Sequence, residues 1–131
     1  AREERLTTMP LLPAGRALPL ACLFALSLGA CVAGQADTSS GRASALATTI
    51  SRASACRAGS PQRGTLERFL ATETARGASA EQIAAARSAY VSVSEAEMVN
   101  QAAQPQACTA EERAALKERM VRIRAGQFDQ L

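Results

Sequence analysis

The sequence has no histidine and no tryptophan, and its single lysine is Lys117. Without histidine, the chain cannot activate a serine or cysteine nucleophile through a Ser–His or Cys–His pair. It also has no Cys-x-x-Cys spacing, so a structural zinc site is not expected. Residues 59–64 contain two glycines, but the proline and the missing lysine indicate a turn rather than a phosphate-binding loop. We therefore predict that the chain is not an enzyme and holds no cofactor or metal.

Aromatic residues are scarce, at 3% of the chain, and the charge is small and mixed. There are 15 basic and 12 acidic residues, for a formal net charge of +3. A nucleic-acid surface needs clustered positive charge, so we expect no nucleic-acid partner. One small domain, rich in alanine and with a modest core, is the expectation for this length.

Long apolar runs are absent, but residues 17–30 form a short uncharged one directly after Arg16. The run is shorter than the roughly 20 residues that a membrane-spanning helix needs, and it contains Pro19. A short apolar core behind a positive flank is typical of a secretory signal peptide. A buried apolar helix is the alternative interpretation of the same run.

The run ends in Leu28-Gly29-Ala30-Cys31, which resembles the lipobox of bacterial prolipoproteins. The resemblance implies that residues 1–30 are removed as a signal peptide and that Cys31 is lipidated. It thereby implies a membrane partner through a lipid anchor and a periplasmic location. Val32 stands where an aspartate would signal inner-membrane retention, which favours the outer membrane.

The start of the chain leaves alternatives open. Residues 1–8 hold two arginines and two glutamates, so we expect them to be an upstream extension, with Met9 as a better start. A signal without lipidation, cut for example after Ala36, would instead give a secreted or periplasmic protein.

Removal of the signal and lipidation of Cys31 would leave Cys56 and Cys108 as a residual pair. In an oxidising compartment such a pair predicts a disulfide, with two buried free thiols as the alternative. In the chain-entropy model, closing this loop stabilises the fold by about 4 kcal/mol.

Helical periodicity predicts an all-α fold, a small bundle of about four helices stapled by this disulfide. We expect residues 31–43 to be a flexible tether, residues 44–126 the helical domain and residues 127–131 a C-terminal tail. A capping box at Ser79 to Gln82 and another at Thr109 to Glu112 start the last two helices. The weak helix formers around Ser92 and Ser94 leave a kink in the third helix open. The predicted helices cover residues 44–58, 66–76, 80–100 and 110–125.

The fourth helix carries a group of basic residues, which is a candidate interaction surface for anionic lipid headgroups or an acidic partner. The alternative is a solvated face whose last arginines complement the helix dipole. The members of this group are Arg113, Lys117, Arg119, Arg122 and Arg124.

Two polar features complete the candidates. Gln101, Gln104 and Gln106 follow the third helix and could offer hydrogen bonds to a partner or a glycan, or form a solvated connector. Glu73 and Glu97 lie near apolar stripes, where we expect ion pairs with Arg68, Arg87 or Arg119.

No heptad pattern is sustained long enough to predict a dimer seam, so the sequence does not predict an oligomeric state. The expected function is that of an envelope-located accessory or structural interaction module, with an envelope protein as its partner. The alternative is a soluble periplasmic module that binds a small ligand or a cell-wall fragment. An exposed apolar patch on the second or fourth helix would favour the first, and an enclosed pocket with convergent polar groups the second.

Overall fold

The structure, a computed structural model, describes residues 37–131. This part of the chain holds four α-helices and no strand, so the predicted all-α bundle is confirmed. The predicted signal peptide, Cys31 and the first six residues of the predicted tether lie outside the described residues. The helices are α1 (Ser39–Ala55), α2 (Thr65–Ala75), α3 (Ala80–Ala103) and α4 (Ala110–Arg124).

Helix α1 begins five residues earlier than predicted, so the tether boundary at residue 43 is wrong. Thr38 is the N-cap, and its hydroxyl accepts a hydrogen bond from the backbone N–H of Gly41 at 3.0 Å. Serine and glycine are weak helix formers, so the sequence pattern did not indicate a helix in this first turn. Burial of Ser39 and Ala43 against the rest of the bundle offsets that weak propensity.

Helix α1 is the central element. It packs extensively on α3 and more locally on α4, while α2 packs on α3. The core is small: its largest fully buried apolar side chains are Leu46, Phe69, Met120, Ile123 and Phe128. Alanines fill much of the remaining interface, which allows the helices to approach closely.

The last five residues belong to the domain, so the predicted C-terminal tail is wrong. Phe128 is 2% exposed, and its ring meets Phe69 edge to face with centroids 5.5 Å apart. Leu131 packs against the same core. A single aromatic residue after a glycine carries no periodic signal, so the sequence pattern could not place it in the core.

The turn between α1 and α2 depends on glycine at two points. A Cβ on Gly59 would lie 3.3 Å from the Cβ and Cγ of Met120, and its φ is +143°. Gly64, the residue before α2, has a φ of +76°. Because side chains rarely tolerate such backbone angles, these glycines let the turn fold back against α4.

Helix α3 starts at the predicted capping box: the Ser79 hydroxyl accepts from the Gln82 backbone, and the Gln82 side chain accepts from the Ser79 N–H. It is continuous past Ser92 and Ser94 and ends at Ala103, three residues beyond the predicted end. Its 24 residues include only one buried residue, Ala86.

Helix α4 begins as predicted, with the Thr109 hydroxyl accepting from the Glu112 N–H at 3.0 Å. Directly before it, Cys108 forms the predicted disulfide with Cys56, with the two Cα atoms 5.6 Å apart. The bond ties the end of α1 to the start of α4. None of the four helices combines the length and apolar character that a membrane span requires.

Candidate functional site

The basic side chains of α4 differ in their contacts and in their exposure to solvent. Arg113 donates from Nε to the carbonyl oxygen of Cys56 at 3.0 Å, and Arg124 donates from Nε and Nη2 to the carbonyl of Ser60 at 3.1 and 2.8 Å. Both thereby hold the segment after α1 against α4. Lys117 and Arg119 are exposed, whereas Arg122 is partly buried with no hydrogen-bond partner on its Nε. At least two members of the predicted interaction surface therefore have a structural role.

A buried carboxylate forms a second cluster, where α1 begins and α2 ends. Glu73 has no exposure to solvent and receives Nε and Nη2 of Arg42 at 3.1 and 2.5 Å, together with the Ser39 hydroxyl at 2.7 Å. Arg76 approaches the same carboxylate at 3.4 Å and also contacts Asp129. Burial by itself would raise the pKa of Glu73, but the hydrogen bonds from Arg42 and Ser39 outweigh it and lower the pKa.

The sequence analysis placed Glu73 correctly near a helix boundary but named the wrong partners. We expected Arg68, Arg87 or Arg119, whereas Arg42 and Arg76 bind it. Arg87 instead pairs with Glu67 at 2.7 and 2.9 Å on the surface. Arg42 was assigned to the tether, so it was not considered as a partner. The Glu73 carboxylate is fully engaged by donors, which suits a structural role and leaves no free base.

A third cluster surrounds the disulfide. Arg52 donates from Nε and Nη2 to the Glu112 carboxylate at 2.6 and 2.9 Å, and the hydrogen bond lowers the pKa of Glu112. The sulfur atoms of Cys56 and Cys108 and a Glu112 oxygen lie within 4.8 Å of one another. They are the only metal-ligand grouping of three in residues 37–131, but here the sulfurs are bonded to each other and the carboxylate is bound by Arg52.

A polar groove of about 550 Å³ lies between α1, the end of α3 and the following loop. It includes the Gln101, Gln104 and Gln106 side chains that the sequence singled out. Gln101 also donates to the carbonyl of Ser51 at 3.2 Å, so one amide is used to join α3 to α1. The groove is partly open to solvent rather than enclosed. Its walls are formed by Thr48, Arg52, Glu97, Asn100, Gln101, Ala103, Gln104 and Gln106.

The least expected feature is the side of α3 that faces away from α1. Val91, Met98 and Val99 are 44%, 66% and 63% exposed. Only four of the 24 residues of α3 are charged, compared with eight of 15 in α4. A surface helix normally places charged residues opposite its buried face, so α3 departs from the usual pattern. We define the α3 outer face as Ala80, Ala84, Val91, Glu95, Met98, Val99 and Ala102.

The sequence pattern could not reveal this face because α3 is apolar on two sides. Ile83, Ala86, Tyr90 and Val93 turn toward the bundle, and burial raises the pKa of the Tyr90 hydroxyl. The predicted apolar stripe of this helix was Ile83, Ala86, Tyr90 and Val93, with Met98 at its edge, whereas Met98 is 66% exposed on the opposite side. Only the position of α1 shows which of the two sides is covered.

No protein-family model, curated protein or solved structure matches this chain at a significant level.

Proposed function

We propose that this protein is a small bacterial envelope lipoprotein that acts as an accessory or structural interaction module, and that the α3 outer face is its binding surface. The observation that carries the proposal is the exposure of Val91, Met98 and Val99 on one side of a long helix. Exposed apolar residues on one face mark protein contact sites, because water is displaced from apolar surface on binding.

The remaining surface features fit a passive role. Glu73 and Glu112, the carboxylates with the most extensive contacts, are bound by arginines, and the chain has no histidine. The basic residues of α4 partly hold a loop in place. A module that acts through contacts needs a rigid scaffold and one exposed face, and the disulfide and the Glu73 cluster supply that rigidity.

The lipoprotein part of the proposal rests on the resemblance of Leu28 to Cys31 to a lipobox. Lipidation of Cys31 would hold the domain at a membrane surface, where the α3 outer face would meet its partner at high local concentration. Metabolic labelling with a fatty acid, comparing the native chain with Cys31→Ala, tests this step. Loss of label and release from the membrane fraction are the expected results, and a label that persists in the variant contradicts lipidation at Cys31.

Photo-crosslinking in bacterial cells tests the binding surface. A photoreactive amino acid at Met98, on the α3 outer face, should give discrete crosslinked protein bands. The matched control is Val121 on α4, which is equally exposed at 67% against 66% for Met98. Equal crosslinking at both positions, or none at Met98, would contradict a specific role for the α3 outer face.

The polar groove favours a second candidate function, the binding of a small ligand or cell-wall fragment. Its volume lies within the range of about 300–1,000 Å³ that is usual for ligand pockets, and its amide side chains could bind hydroxyl or amide groups. It lacks the apolar and aromatic lining that such pockets usually have. Addition of soluble peptidoglycan fragments, followed by NMR shifts at Asn100 and Gln104, would test it.

A further inference from the structure

We propose that the α3 outer face binds the same face of a second copy of this chain, with the two α3 helices antiparallel and centred on Val91. This inference rests on the proposed function, because it names the partner of the surface proposed there. It also follows from how the residues of α3 are arranged about Val91.

The first argument is the match of large and small residues. Ala84 and Met98 lie seven residues before and after Val91, and seven residues are close to two helical turns. They therefore share one side of α3 with Val91. In an antiparallel pair centred on Val91, each exposed Met98 would lie over Ala84 of the other copy. Ala80 and Ala102, eleven residues on either side, would face each other at the ends.

The second argument is the position of the charges. Arg87 lies four residues before Val91 and Glu95 four residues after it, on the flanks of the same stripe. An antiparallel arrangement sets Arg87 opposite Glu95 of the second copy, and this occurs twice by symmetry. A parallel arrangement would place Glu95 against Glu95, which is repulsive. The charges therefore select the antiparallel arrangement.

The contact of Arg87 within its own chain is compatible with this arrangement. Its Nη1 and Nη2 atoms bind Glu67, yet the Arg87 side chain is still 49% exposed. A guanidinium has more N–H donors than these two bonds use. Arg87 can therefore bridge Glu67 and Glu95 of the second copy.

The size of the contact sets the expected strength. Helix α3 is about 36 Å long at 1.5 Å per residue. One helix face buries less than the roughly 800 Å² per partner of a standard stable interface. We therefore expect a weak dimer, which anchoring of both copies at one membrane would strengthen by raising their local concentration.

Cysteine crosslinking of the full chain in the membranes of producing cells tests the arrangement. Val91→Cys lies on the proposed two-fold axis, so oxidation should give a reducible dimer. Val121→Cys, exposed on α4, is the matched control and should give at least about fivefold less dimer. Ala84→Cys and Met98→Cys should each crosslink poorly alone but should form a mixed dimer when two differently tagged chains are produced together.

Charge reversal tests the specificity in the Val91→Cys background. Glu95→Arg should reduce the dimer at least about threefold, because it sets two positive charges opposite each other. Adding Arg87→Glu should restore it. Melting curves of each variant show whether the bundle remains folded. Exchange of Glu67 for Gln, which removes only the contact within the chain, should preserve the dimer.

Three outcomes would overturn the proposal: no more dimer at Val91→Cys than at Val121→Cys, self-crosslinking of the Ala84→Cys and Met98→Cys chains, or no restoration by the double charge reversal. Failure here is distinguishable from failure of the proposed function. Photo-crosslinks from Met98 to a different protein, with no dimer at Val91→Cys, would support the interaction module and exclude the second copy.

Discussion

Glu73 is a carboxylate with no solvent exposure in a core that has few large side chains. A buried charge is tolerated only when it is paired and hydrogen-bonded, and Arg42, Arg76 and Ser39 satisfy this condition. The cluster joins the first turn of α1 to the last turn of α2. Arg42 lies near the start of α1 and Glu73 near the end of α2, so the two residues are 31 positions apart in the chain. This separation explains why sequence spacing could not identify Arg42, whereas Arg76 lies only three residues after Glu73 and was overlooked.

Replacing Glu73 by glutamine should lower the free energy of unfolding by about 2–3 kcal/mol. Loss of one partner of a fully buried pair typically costs about 3–5 kcal/mol. The expected loss is smaller here because the Arg42 side chain is 27% exposed and regains some hydration. Urea unfolding gives the measurement. The matched control is Glu67→Gln, which breaks an exposed ion pair and should change stability little.

The same variant should change the pH dependence of stability. The pKa of Glu73 is lowered from its ordinary value of 4.5, so its contribution is present above about pH 4.5 and is lost as the pH falls through the lower folded pKa. The native chain should therefore lose more stability than Glu73→Gln as the pH falls below about 4.5. Parallel curves for the two proteins would show that Glu73 does not titrate as the structure requires.

At the scale of elements, capping residues located helix starts well where polar caps preceded a clear apolar stripe. The start of α3 at Ser79 and that of α4 at Thr109 were both predicted. The start of α1 was missed because a Ser-Ser-Gly stretch has weak helix propensity. The last segment was missed because one aromatic residue cannot show a period. In both cases tertiary burial overrode a weak local signal.

The C-terminal segment provides the prediction at this scale. Phe128→Ala should lower the free energy of unfolding by about 3–5 kcal/mol, because it removes a buried ring and leaves a cavity beside Phe69. Thermal unfolding by circular dichroism measures the loss. Gln130→Ala, an exposed change two residues later, is the control. A Phe128→Ala protein as stable as this control would mean that residues 127–131 are a tail after all.

At the scale of the whole molecule, the Cys56–Cys108 disulfide and the Glu73 ion cluster help to hold together the small core of residues 37–131. The disulfide ties the end of α1 to the start of α4, with a sequence separation of 52 residues. The Glu73 cluster ties the other end of α1 to α2. Helix α3 has no comparable covalent restraint and uses one side to pack on α1. Its opposite side is left for a partner in the proposed function.

Replacing both Cys56 and Cys108 by serine should lower stability by about 4 kcal/mol, chiefly because the unfolded chain gains freedom. Chemical denaturation of the variant and of the reduced native chain should give closely similar losses. An unchanged melting temperature in the variant would show that the bond contributes nothing. If the variant lost far more stability than the reduced native chain, the extra loss would come from placing serine at a buried site rather than from removing the bond.

The sequence by itself determined the helical class, the disulfide pair and the starts of α3 and α4. These features depend on local caps, on helical periodicity and on the number of cysteines left after a predicted cleavage. The contact of Glu73 with Arg42, the burial of Phe128 and the exposed side of α3 were decided only by the tertiary structure. Each depends on which surfaces meet across segments far apart in the chain. When a helix is apolar on two sides, its sequence does not show which side the rest of the chain will cover.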